Sequence, residues 1–125
     1  MNANFFTFEL AMEKFSSEFK GKVAVVHSNV EKLDSTNAPE LKSLFIHLNQ
    51  KSNNLLVLDM SATKYCDSSG LSAILIANRL CKDTNGSFSI SNLQSNVFKL
   101  IQIAQLDKVL SIHSNLDEAV ANIKE

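Results

Sequence analysis

Two serines stand side by side in Asp67-Ser68-Ser69-Gly70, after the apolar run Leu55-Leu56-Val57-Leu58-Asp59-Met60 and just before Leu71, Ala73, Ile74, Leu75, Ile76 and Leu80. A strand that turns into a helix there puts the serines at the helix's first turn. A hydroxyl at that point can cap the helix, attack a substrate or carry a phosphate. Attack is poorly supported. A nucleophile elbow needs Gly-x-Ser-x-Gly, and Cys66 stands where the first glycine belongs. Asp59 at a strand end is reminiscent of the acidic residue of nucleotide hydrolases, but no Gly-x-x-x-x-Gly-Lys loop is present. No catalytic residue is assigned, and the expected protein is not an enzyme.

A phosphate fits the place better. Free backbone N–H groups and the helix dipole favour negative charge at a helix N-terminus. A phosphoserine would bring a charge of about −1.5 to −2 at neutral pH. Asp67 would oppose that charge and turn it outward. The plain alternative stays open on spacing alone: Ser68 or Ser69 is an N-cap, and Gly70 permits close packing.

Other reactive side chains form no pattern. His27, His47 and His113 lack ligand spacing, and Cys66 and Cys81 are not a close pair, so neither a metal site nor a cofactor is assigned. Two lone cysteines without a basic, apolar leader at Met1–Leu10 suit a reducing cytoplasm, with both thiols in packing roles.

The elements that must position the serines follow from periodicity. Lys22–His27 is rich in β-branched residues and is predicted as a strand. Residues 1–21 are expected to add a strand, through the alternation of Phe6, Phe8 and Leu10, or a helix, through Met12, Phe15 and Phe19. A first helix begins near Asn37, with Asn37 and Glu40 spaced as a capping box and Pro39 in the first turn. Leu41, Leu44, Phe45 and Leu48 give it one apolar stripe, and residues 49–54 read as a loop. Leu55–Met60 suits a strand buried on both faces. The helix after Gly70 is apolar over a wide arc and ends at Asn85-Gly86. Ser87–Ile90 alternates as a strand. A third helix carries Val97, Leu100, Ile101 and Ala104, capped by Asn92 or Ser95. Val109–Ile112 is a short strand, and Ser114 or Asn115 opens a last helix with Asp117 and Glu118 at its positive end. Strands and helices alternate, which predicts an α/β fold.

All of this fits one domain of 125 residues, with 45% apolar and 20% charged residues. A net charge of −1 and scattered basic residues give no reason to expect direct nucleic-acid or membrane binding. No stretch approaches the roughly 20 apolar residues of a spanning helix.

Three segments in order resemble the STAS domain family, and more closely the bacterial anti-sigma factor antagonists (anti-anti-sigma factors). Leu33-Asp34-Ser35-Thr36-Asn37-Ala38-Pro39-Glu40-Leu41 is similar to the family's Leu-Asp-x-x-Thr/Asn-Ala-Pro-Glu-Leu segment. Leu55–Leu71 resembles its central strand and Asp-Ser-Ser-Gly-Leu turn, and Val97–Val109 its later helix and short strand. The sequence departs where the family often has Gly-Glu; here it is Glu31-Lys32. The resemblance covers about residues 22–123. It implies a single STAS-like α/β domain over 22–125, with a mostly parallel or mixed four- to five-stranded sheet and about four flanking helices. It also implies partner switching. The unphosphorylated protein binds an anti-sigma factor that is a serine kinase and frees a sigma factor; phosphorylation of Ser68 ends binding; a phosphatase resets it. Asp34, Asp67, Ser69, Gly70 and Leu71 are the partner-binding residues so implied. The alternative is a STAS scaffold subunit of a stress-signalling or lipid-transport assembly that does not switch.

Overall fold

A computed structural model of the chain describes residues 13–123. Its main sheet holds five strands in the order β1-β2-β4-β6-β7, where β1 is Phe15–Lys20, β2 Val23–Ser28, β4 Leu55–Asp59, β6 Ser87–Ser91 and β7 Ser111–His113. β1 is antiparallel to β2, and the remaining neighbours are parallel. Three crossovers carry the chain one strand at a time across the sheet. They contain α1 (Ala38–Gln50), α2 (Ser68–Asp83) and α3 (Ser95–Ile103), and α4 (Leu116–Ala121) follows β7. The α/β class and the five-stranded mixed sheet with four helices agree with the sequence reading.

The core has two sides, and β4 faces both. Leu56 and Leu58 join Phe45 and Leu41 of α1, Ile74 and Ala77 of α2 and Ile101 of α3 in the larger cluster. Leu55 and Val57 join Val23, Val25 and Ala119 of α4 in the smaller one. All five residues of β4 are buried. That is why its sequence is a run of apolar residues and not an alternation. Phe45 meets Phe88 of β6 edge to face, with ring centroids 6.0 Å apart.

The N-terminal reading needs correction. Phe15–Lys20 is a strand, paired with β2 over six residue pairs from Phe15↔Ser28 to Lys20↔Val23. Gly21, with φ of +63°, starts the two-residue turn between them. The helical alternative for Ala11–Phe19 fails there because a spacing of four satisfies both periods: Phe15 and Phe19 share one face of a strand as readily as one face of a helix. The alternative strand at Asn4–Leu10 lies outside the described residues.

Two expected caps also differ. Asn37 precedes α1 but makes no cap with its side chain. Its Oδ1 accepts from the Asp34 N–H at 3.0 Å and its Nδ2 donates to the Lys32 carbonyl at 2.9 Å, so it braces the loop behind it. Glu40 turns away to Lys14, 3.4 Å distant. α3 is preceded by Gln94, and Asn92, expected as its cap, donates to Asp59 instead. Asn115 does cap α4, accepting from the Glu118 N–H at 2.8 Å. α2 ends as expected: Asn85 takes the left-handed conformation, and the Gly86 N–H reaches back to the Cys81 carbonyl at 2.7 Å.

Replacing Phe45 with Ala removes a fully buried ring that joins α1 to β6. It should cost about 3–5 kcal/mol in urea-induced unfolding; a loss within that of a surface substitution would show that this contact does not organise the core.

Candidate functional site

Asp67 is the N-cap of α2 in extended conformation, and its Oδ1 accepts from the N–H groups of Ser69 at 2.9 Å and Gly70 at 3.1 Å. Neither Ser68 nor Ser69 is the cap. The carboxylate wins because it brings a full negative charge to the positive end of the helix, whereas a hydroxyl brings only a dipole. Both serine hydroxyls are thereby left without a hydrogen bond among the described residues. Ser68 is exposed and Ser69 half-buried.

A small second sheet holds this turn in place. β3 (Lys32–Leu33) pairs in parallel with β5 (Tyr65–Cys66). Their sequences are too short to show a period, so the pattern of apolar residues gave no sign of them. The Asp67 N–H continues the ladder by donating to the Leu33 carbonyl at 3.2 Å. Gly70 then packs directly on this seam. A Cβ at position 70 would lie 2.5 Å from Cys66 Sγ and 2.8 Å from the Leu33 carbonyl oxygen. The glycine is needed for close approach, not for an unusual φ. Leu71 is half-buried against the larger core cluster.

The seam brings the two sequence segments together. Asp34 follows Leu33 directly, so its loop lies beside the Ser68 turn. Asp34 Oδ1 accepts from the Thr36 hydroxyl at 2.6 Å and from its N–H at 3.0 Å, and these bonds hold the carboxyl below its usual range. The Asp34 carbonyl accepts from the N–H groups of Asn37 and Ala38. An open groove runs between the first turns of α1 and α2, where Pro39 and Lys42 face Ser69, Ser72 and Ile76. Lys42 and Ser72 escaped the sequence reading, since helical periodicity marks them only as surface positions, and Ile76, read there as part of the buried apolar arc, is half-buried and lines the groove.

Of the predicted residues, Ser68, Asp67, Ser69 and Asp34 are thus gathered at one surface, while Gly70 lies beneath it. Cys66 and Cys81 are packing residues whose thiols burial pushes up to about 12, with Asp67 adding to the effect at Cys66. Among the described residues no cluster of histidine, cysteine and carboxylate is arranged to hold a metal, and no helix is long and apolar enough to cross a membrane. On the other face of the sheet, Glu18, His27, Asp59 and Asn92 form a hydrogen-bonded chain. No motif marks it; only the strand register brings these residues together.

A family model for the STAS domain matches residues 14–119. Solved structures of similar fold include a candidate anti-sigma factor antagonist from Thermotoga maritima, at TM-score 0.82 and 22% identity over 89% of this chain and 95% of that one. Another is an anti-sigma factor antagonist from Mycobacterium paratuberculosis, at TM-score 0.79 and 25% identity over 89% and 93%. A third is the Bacillus cell fate determinant SpoIIAA in its phosphorylated form, at TM-score 0.67 and 16% identity over 86% and 96%.

The geometry ranks three substitutions by urea unfolding. Gly70→Ala forces a methyl into the β3–β5 seam and should cost about 1–3 kcal/mol. Asp67→Ala loses the cap and should cost about 1 kcal/mol. Ser68→Ala should stay within about 0.5 kcal/mol of the parent. A Ser68→Ala loss as large as that of Asp67→Ala would make Ser68 part of the cap.

Proposed function

Because the chain belongs to the STAS domain family, we propose that it is an anti-sigma factor antagonist whose binding is controlled by phosphorylation of Ser68. The unphosphorylated protein binds an anti-sigma factor that is also a serine kinase, and so releases a sigma factor. Transfer of phosphate to Ser68 ends the complex, and a phosphatase restores the hydroxyl. The cycle belongs in the cytoplasm, where transcription is regulated. The chain itself acts by binding; the chemistry is the partners'.

One observation carries this reading: Ser68 is exposed with an uncommitted hydroxyl, while the neighbouring cap is already filled by Asp67. A kinase can reach the hydroxyl without opening the fold. A phosphate placed there cannot fold back onto the Ser69 and Gly70 N–H groups, since Asp67 holds both. It therefore stays displayed at the surface, beside a second negative charge. A partner lying across Asp34, Ser69 and the groove to Lys42 would have to bury that charge, which is costly without a matching cation. A penalty of a few kcal/mol lowers affinity by orders of magnitude.

Incubation with the cognate anti-sigma factor kinase and magnesium–ATP should add one phosphate, located at Ser68 by fragment mass spectrometry. Ser68→Ala should keep full affinity and accept no phosphate. Ser68→Asp should bind at least about tenfold more weakly, a difference of about 1.4 kcal/mol. Modification only at other residues, or equal binding by Ser68→Ala and Ser68→Asp, would sink the switch and favour a STAS scaffold in a signalling or transport assembly.

A further inference from the structure

We propose that Glu18, His27 and Asp59 form a proton-operated clasp that fastens the edge strand β1 to the sheet. His27 sits near the carboxyl end of β2 with a carboxylate at each ring nitrogen. Its Nδ1 lies 2.8 Å from Asp59 Oδ2 on β4, and its Nε2 lies 2.5 Å from Glu18 Oε2 on β1. Both contacts can be hydrogen bonds only when the triad holds one proton beyond a neutral imidazole between two carboxylates. The strand register builds the arrangement: His27 is opposite Asp59 across the parallel β2–β4 pair. Glu18 is opposite Val25, two residues from His27 on the same face.

The two ends of the clasp differ in firmness. Asp59 is buried and held by three further donors: Asn92 Nδ2 at 2.9 Å and the Ser61 N–H at 3.2 Å on Oδ1, and the Ser61 hydroxyl at 3.3 Å on Oδ2. The Glu18 side chain is 49% exposed and has no comparable brace. When the shared proton leaves to solvent, the neutral ring keeps its Nδ1 hydrogen for Asp59. The Nε2 lone pair then faces a carboxylate oxygen, two acceptors in contact, and Glu18 is the side free to swing away. Phe15 packs on the larger core and Ser16 accepts from Asn29 at the start of β1, whereas around Glu18 this edge strand has its ladder with β2, so the fastening lost is that of the later part of the strand.

The charges around His27 agree with this order. Partial burial lowers its proton affinity, but hydrogen bonds to Glu18 and Asp59 outweigh it, and the net shift is upward from the ordinary 6.5. Glu18 is held below its ordinary 4.5, first by the bond to His27, with Lys20 of β1 adding a smaller pull in the same direction. For Asp59, burial raises the value, but Asn92, His27 and Ser61 together bring it below 3.8. Stability from a raised histidine is fully present below 6.5 and is lost as pH rises through the folded value; stability from lowered carboxylates is lost as pH falls through theirs. The clasp is closed between those limits and opens on the alkaline side.

The test is an NMR pH titration of the whole protein, with amide hydrogen exchange of β1. His27 should titrate above the ordinary 6.5 of a histidine, with both ring nitrogens protonated in the closed state. After correction for intrinsic exchange, the opening constant of the β1 amides should rise with pH across that titration, by up to about tenfold per pH unit for one linked proton. Glu18→Gln should abolish this pH dependence and bring the His27 titration down from its value in the parent, while the far amides of β4 and β6 keep their protection. A His27 that titrates at or below the ordinary 6.5, or β1 opening with equal pH dependence in parent and Glu18→Gln, would overturn the clasp.

Discussion

Strand β4 leaves no face to water, and the rest of the domain follows from covering it. Leu56 and Leu58 need helices on one side, and Leu55 and Val57 need cover on the other. Parallel neighbours on both edges satisfy its backbone groups, and each parallel step demands a crossover. With α1, α2 and α3 returning the chain over one face, the carboxyl ends of β2, β4, β6 and β7 gather at a single edge. The polar residues at or next to these strand ends, His27 and Ser28, Asp59, Ser91 and His113, are collected there by topology. This is the edge at which ligands and partners meet open parallel sheets.

The same constraint explains why the turn at Asp67–Gly70 needs its own support. A chain leaving the buried end of β4 must cross from the sheet to the helical layer and begin α2 in the right place. The β3–β5 ladder supplies a fixed step, and Gly70 lets the helix settle against it without a side chain between. The cap at Asp67 then satisfies two of the N–H groups that a helix start leaves open. The seam and the cap leave the two serine hydroxyls unused.

Much of this was legible in the sequence, and the failures have physical causes. The buried run at Leu55–Asp59, the stripe of α1 and the Asn85-Gly86 stop could be read because each expresses a local period or a local backbone demand. Phe15–Lys20 was ambiguous because spacings of four suit helix and strand alike. Asn37 misled as a cap because its amide turns back to Lys32 and Asp34 in the loop before the helix, and Asn92 because its amide finds Asp59, 33 residues away, which no local rule reveals. At the site, Ser68, Asp67 and Asp34 were visible through motif resemblance, and Ser69 was misassigned as a cap because the stronger acceptor stands two residues earlier. The contact of Glu18 and Asp59 through His27 depends on pairing across 9 and 32 residues and had no sequence signal at all.

The segment between the two aspartates bears on the switch proposed for Ser68. From Asp59 to Asp67 the chain is tied at nearly every step. Met60 N–H donates to the Ser91 carbonyl, Thr63 N–H to that of Met60, and the N–H groups of Lys64 and Tyr65 to that of Glu31. The Thr63 side chain donates to the Val30 carbonyl at 2.7 Å and lies 2.7 Å from the Ser28 hydroxyl. A phosphate on Ser68 would therefore meet a frame with little slack, and the Ser69 and Gly70 N–H groups beside it are already occupied by Asp67. Refolding of the turn would have to break several of these bonds without new ones to replace them. A change of surface charge needs none of that. For the phosphorylation proposed at Ser68, the device that fits this framework is electrostatic: the shape offered to a partner would stay the same, and the cost of desolvating it would change.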